Sequence, residues 1–191
     1  MNKLALAATA LVLSAFSAAT MAAPESFNID AGHTLPRFEY NHLGYSFQQH
    51  RFDKTSGKIV LDRAAKTGSV DVTIDTKSVN TGYALFNQHI QAEDFFHTEK
   101  FPTITFKSTA VRFDGDKPVA VDGNLTIKGV TKPVTLTVTH FHSMPHPMLK
   151  KDAIGANAVA KLKRSDFNMP KNVPYVSDEV TLSIAVEAVK E

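Results

Sequence analysis

The sequence predicts an all-β protein: about eight antiparallel strands in one barrel or sandwich, interrupted by one short helix. Three observations predict this. Segments of alternating apolar and polar residues recur along most of the chain, the period-two pattern of half-buried strands. Turn chemistry separates them at short intervals, at Ser56-Gly57, Thr67-Gly68, Asp114-Gly115-Asp116, Lys128-Gly129 and Val176-Ser177-Asp178, so successive strands run mainly antiparallel. One stretch, Gly82 to Phe96, drops the alternation. There Leu85, Phe86, His89, Ile90, Ala92 and Phe96 recur at three- and four-residue steps, which is helical spacing.

At the start, Lys3, the apolar run Leu4 to Phe16 and the small residues Ser17 to Ala22 form the pattern of a secretory signal peptide. Cleavage after Ala22 gives one domain, residues 23–191. The apolar run is shorter than the ~20 residues that span a bilayer, so no stable membrane anchor is expected. The chain has no cysteine, which removes disulfides, cysteine nucleophiles and lipid attachment at the cut site.

The strands follow in order. Pro36 to His42 alternates, with Phe38, Tyr40 and His42 on one side. Lys58 to Asp62 is a short run. Ser69 to Val79 sets Val70, Val72 and Ile74 against Asp71, Thr73 and Asp75. Thr103 to Lys107 and Val119 to Ile127 alternate in the same way. Pro133 to His140 sets Val134, Leu136 and Val138 against Thr135, Thr137 and Thr139. Ala156 to Leu162 and Val180 to Val189 complete the set. Each strand has one apolar face, and a barrel or a sandwich can hide it. Eight strands is the count at which a barrel interior can hold one small ligand. Large residues such as Phe38, Phe106, Phe113 and Phe167 stand beside small ones such as Val72, Val138 and Ala158. Periodicity fits a filled core as well as a hollow one.

The formal net charge of +2 gives no argument for a nucleic-acid or anionic-membrane partner. The basic run Lys161-Leu162-Lys163-Arg164 is expected on an exposed strand face. No His-Glu-x-x-His, Gly-x-Ser-x-Gly, Walker or Gly-x-Gly-x-x-Gly motif occurs, so no catalytic residue is assigned. Histidines are the exception, eight in all. His140 and His142 share one strand face and His146 follows closely, three nitrogen ligands of the kind that hold zinc or copper. The alternative function is therefore a histidine-cluster metal-binding protein or a metal-dependent enzyme. A third reading is a structural barrel with a filled core. His33, His42, His89 and His97 sit at element ends, where a barrel's mouth would be.

Five stretches carry a resemblance: His42 to Ser46 ("HLGYS"), Gln88 to Thr109 ("QHIQAEDFFHTEKFPTITFKST"), Val121 to Val138 ("VDGNLTIKGVTKPVTLTV"), Lys163 to Met169 ("KRSDFNM") and Val176 to Ala188 ("VSDEVTLSIAVEA"). In this order they resemble the YceI-like family of bacterial periplasmic proteins, from about Phe27 to Ala188. The resemblance implies one extended, eight-stranded, lipocalin-like antiparallel barrel around a long apolar tunnel. Its ligand would be a polyisoprenoid, an isoprenoid quinone or a similar long-chain amphiphile, with no other cofactor and no enzymatic activity. A periplasmic location is expected, and a homodimer of two barrels stays open. The helix would cover the mouth, with Phe86 and Ile90 capping the interior and Asn87 and His89 reaching the ligand's head. On matching strand parity the lining would be Phe38, Tyr40, Val72, Ile74, Ile104, Phe106, Leu125, Ile127, Leu136 and Val138, with His42 at the mouth. The family commonly has Arg-Asp, a variable residue and His-Leu at the helix, where this chain has Phe86-Asn87-Gln88-His89-Ile90. Loss of the arginine fork favours a neutral head group over a diphosphate. A second departure is His50-Arg51, where the family often has glycine and a small residue.

Overall fold

The computed structural model describes residues 23–191; the signal-peptide reading of residues 1–22 lies outside them. Eleven strands follow one another: β1 (Glu25–Ile29), β2 (Arg37–His42), β3 (Ser46–Phe52), β4 (Thr55–Asp62), β5 (Thr67–Asp75), β6 (Val79–Asn80), β7 (Thr103–Asp114), β8 (Lys117–Ile127), β9 (Val130–Pro145), β10 (Asp152–Lys163) and β11 (Glu179–Lys190). Among the described residues one α-helix, α1 (Ala84–Ile90), lies between β6 and β7, and 3-10 turns occupy Thr76–Ser78 and Arg164–Phe167.

Eight strands close a ring in the order β1-β4-β5-β7-β8-β9-β10-β11, and β11 returns to β1. All pairings between these strands are antiparallel. The barrel therefore has the expected strand number, but with different membership. The ring takes in β1, which is short and weakly patterned, and leaves out β2, which alternates clearly. The reason lies in β11, whose free edge is shared. Ala188 to Lys190 pair with β1, while Thr181 to Ser183 pair with β2. Thr34, on the connecting loop, crosses the fork. Its hydroxyl accepts the Glu187 N–H at 3.2 Å and donates to the Glu187 carbonyl at 3.3 Å. Beyond the fork, β2, β3 and β6 pair in turn and lengthen the wall at one end.

Local chemistry explains where the strands bend and turn. The β8–β9 connection is the two-residue Lys128-Gly129, both at positive φ, as tight hairpins require. Ser56-Gly57, expected as a turn, lies inside β4 opposite Thr73 and Val72. A Cβ at Gly57 would come within 2.2 Å of the Asp71 carbonyl oxygen, so glycine here allows close approach of two backbones.

Two apolar clusters divide the interior. At the β1 end, Phe27, fully buried at 0% exposure, packs with Ile59, Leu61, Ile154 and Ala188. The larger cluster includes Phe38, Phe52, Ile90, Phe96, Ile104, Phe106, Leu125, Phe167 and Met169. Among the described residues no helix is long and apolar enough to cross a membrane.

Candidate ligand-binding site

The two clusters border one cavity of about 350 Å³, whose lining reaches from Ile59, Leu61 and Ile154 at the β1 end to Tyr40, Phe86 and His89 at the α1 end. Small side chains make the room. On β10, Ala156 and Ala158 face inward and the backbone of Gly155 borders the cavity, and a Cβ at Gly123 would lie 2.4 Å from the Phe106 ring. The walls are almost wholly apolar, so such a cavity suits an apolar chain rather than water.

The residues that strand parity singles out can be located against the cavity. Phe38, Tyr40, Val72, Ile74, Ile104, Phe106, Leu125, Ile127, Leu136 and Val138 all border the cavity, as do His42, Phe86, His89 and Ile90. Asn87 does not. Its side-chain oxygen accepts the Thr81 N–H and the Thr81 hydroxyl, both at 2.7 Å. It fastens the start of α1 and turns away from the interior. The apolar side of α1 is also narrower than the spacing suggests. Leu85 and Ala92 are exposed, and the helix ends at Ile90, followed by turns that bring Phe95 and Phe96 inward.

An aromatic cluster supports this lid. The His50 ring meets Phe38, Tyr40 and Phe86 at centroid distances of 5.5, 5.5 and 5.4 Å. His89 is held between Phe86 and Phe95 at 5.8 and 5.0 Å. Aromatic and imidazole edges and faces interlock in this way without needing charge. His50 is 6% exposed. Its Nε2 lies 3.0 Å from the Tyr40 hydroxyl, while its Nδ1 is buried without a hydrogen bond. Burial lowers the His50 pKa below the ordinary 6.5, and the nearby backbone of Thr81 and Gln49 opposes this without prevailing. Burial also raises the Tyr40 pKa, against the field of Arg164. The pair is thus a neutral phenol and a neutral imidazole at neutral pH.

Thr34, Arg37, Thr55 and Asn172 border the cavity without having been singled out from the sequence, and so does Arg164. Far from an exposed basic face, it is 8% exposed and borders the cavity. Its guanidinium donates to the carbonyls of Ser177 (Nε, 2.9 Å), Met169 (Nη1, 2.5 Å) and Val176 (Nη2, 2.8 Å). Strand alternation carried the signal: Leu162 and Arg164 share the inward parity, while Lys161 and Lys163 point out. Arg51 donates to Asp53 at 2.7 Å outside the cavity. Lys128 ties the mouth together by donating to the carbonyls of Glu93 at 2.7 Å and Asn168 at 2.8 Å.

The histidines at element ends part company. His42 and His89 face the cavity, His33 bonds Asp30 at 2.8 Å, and His97 packs on Phe101. The candidate metal ligands are not gathered. His140 and His142 lie on the exposed side of β9, either side of cavity-lining Phe141. The Nδ1 of His146 accepts the N–H groups of Met148 and Leu149 at 3.2 Å. Among the described residues, the group that does converge is Asp30, His33 and Glu187, at the barrel fork.

Residues 27–188 match the YceI-like domain. Protein YceI of Escherichia coli O157:H7 is 38% identical over 189 residues, 98% of this chain and 97% of that protein. The chain belongs to the YceI-like family. A Campylobacter jejuni YCEI protein of solved structure aligns with a TM-score of 0.68 at 32% identity, covering 79% of this chain and 90% of that one. Burkholderia cenocepacia BcnA aligns with a TM-score of 0.70 at 26% identity, over 83% and 98%. A polyisoprenoid-binding domain from Saccharophagus degradans, implicated in plant cell wall breakdown, shares the fold at 18% identity, with a TM-score of 0.66 over 87% and 99%. In this YceI-like barrel Phe86 of α1 packs against His50 and His89.

Proposed function

We propose that this YceI-like protein is a non-catalytic binding or carrier protein for one long-chain amphiphile of isoprenoid type, acting in the periplasm after removal of residues 1–22. The observation that carries this reading is the apolar cavity running along the barrel from Ile59 and Leu61 to Phe86 and His89. Affinity then comes from burying the tail, at ~25 cal/mol per Å² of apolar surface. The family and the fold shared with a polyisoprenoid-binding domain support an isoprenoid tail. The head group is neutral and accepts or donates few hydrogen bonds, as in a quinone or alcohol. What supports this is Phe86 at the lid and the uncharged Tyr40–His50 pair beneath it.

Native purification followed by organic-solvent extraction, mass spectrometry and metal analysis tests the reading. A stoichiometric prenyl-chain compound is expected. Stoichiometric zinc or copper without lipid would support the histidine alternative, and neither would indicate a barrel that works empty.

A further inference from the structure

The mouth of the barrel carries a second surface that holding a ligand does not use. Tyr45, Phe47 and Tyr175 are 87%, 68% and 73% exposed, and Leu43, Tyr83 and Leu85 also turn most of their side chains or about half of them to solvent. They stand on three segments: the β2–β3 hairpin, the entry to α1, and the loop before β11. Each segment also supplies the cavity. Leu43 follows lining residue His42, Leu85 precedes Phe86, and Tyr175 precedes Val176. Hairpin and loop are joined, since His42 bridges Val176 and the Leu43 N–H donates to the Tyr175 carbonyl at 2.9 Å.

The chemistry of these segments selects what covers them. The chain is 21% charged, yet Asn41–Gln49, Thr81–Ala92 and Asn172–Ser177 contain no Asp, Glu, Lys or Arg. Here charge is missing from all three segments, and the apolar groups project from a hairpin, a helix entry and a loop. Tyr, Phe and Leu in such places match the interfacial layer of a bilayer, where a ring enters the acyl boundary and a phenol stays at the headgroups. The charges that flank these segments are engaged nearby, Lys171 with Asp94 and Lys128 with the carbonyls of Glu93 and Asn168, so the segments themselves carry no ionic group to desolvate and offer no basic group to anionic lipid.

We infer that the mouth docks on the surface of a zwitterionic phospholipid bilayer, through the tips bearing Tyr45, Phe47, Leu85 and Tyr175. Docking presents the cavity opening to amphiphiles dissolved in the membrane. The purpose of docking rests on the proposed ligand reading; the docking itself rests on the surface.

Co-sedimentation of the purified protein with phosphatidylcholine vesicles tests this, at low and high salt. It is run beside the triple variant Tyr45→Ser/Phe47→Ser/Tyr175→Ser. The chain has no tryptophan, so Tyr45→Trp provides a single reporter. Binding of a water-soluble one-isoprene quinone, without vesicles, is measured on wild type and triple variant. The expected results are wild-type partition that is insensitive to salt, a blue shift of the Trp emission on adding vesicles, and a loss of partition of about tenfold or more in the triple variant. Quinone binding is unchanged by the triple substitution. Absent wild-type partition, equal partition of the variant, or partition confined to anionic vesicles would overturn the inference. So would a blue shift that tracks protein concentration without vesicles, because a second copy would then cover the surface. Persistent partition with no quinone binding would remove the ligand reading and leave docking intact.

Discussion

Arg164 combines a charge, burial and a cavity wall in one side chain. Its cation is held by three backbone carbonyls, and burial lowers its pKa while Asp178 opposes that. Those carbonyls belong to the segment after the Arg164–Phe167 turn, so the guanidinium fixes the loop that borders the mouth. Arg164→Leu leaves the three acceptors without their donor. Each buried unpaired group costs ~1–3 kcal/mol, so urea unfolding should show a loss of roughly 3 kcal/mol or more, at unchanged m-value. Arg164→Lys should recover only part of it, because a single ammonium cannot reproduce a planar fork. His50 makes a separate prediction. Its folded pKa lies below the unfolded value near 6.5, so the unfolded chain takes up the proton first as pH falls. The stability it contributes is present above about pH 6.5 and is lost on acidification below that value. His50→Phe should flatten the decline in unfolding free energy between about pH 7 and pH 5. His33 titrates with the opposite sign, because its hydrogen bond to Asp30 raises its pKa, so it cannot mimic the effect.

At the scale of elements, α1 is a short helix held by its surroundings rather than by its own turns. Seven residues are too few for a stable isolated helix. Asn87 fastens its start to Thr81, and Phe86, His89 and Ile90 pack over the cavity. Phe86→Arg should weaken neutral-headed ligands by ~1–3 kcal/mol, through lost aromatic burial and the desolvation of a cation. It should improve diphosphate-headed chains relative to neutral ones. Competition across a head-group series measures both, and an unchanged preference with a lowered melting temperature would mean that Phe86 serves packing alone. The strands show what was legible before the structure. Val72 and Ile74 on β5 and Leu125 and Ile127 on β8 alternate without interruption, were read from the sequence as lining, and border the cavity. Val111 and Phe141 line it too, but irregularities in register fall between Ser108 and Ala110 on β7 and opposite Asn157 and Ala158 on β9. One extra residue reverses which side chains face inward, and no local pattern announces it. The use of β1 in the ring was equally hidden, because the sharing of one edge of β11 between β1 and β2 is a long-range contact.

At the scale of the whole molecule, the barrel is plugged at one end and lidded at the other. Phe27, Ile59, Leu61 and Ile154 fill the β1 end, so the cavity has a floor. The β2–β3–β6 extension and α1 lengthen the other end beyond the ring, which leaves the polar pair Tyr40 and His50 near the mouth. A ligand seated tail-first would meet apolar wall along most of its length, with the Tyr40 hydroxyl and Arg164 towards the α1 end. Affinity should then depend on tail length. A fully buried isoprene unit could contribute up to ~4 kcal/mol at ~0.8 kcal/mol per carbon. The most direct measurement is the dissociation constant of a prenyl quinone series differing only in isoprene number, on one purified protein. The barrel account predicts affinity that rises about tenfold or more per added unit, then levels off once the tail reaches the floor. A dissociation constant independent of chain length would contradict it.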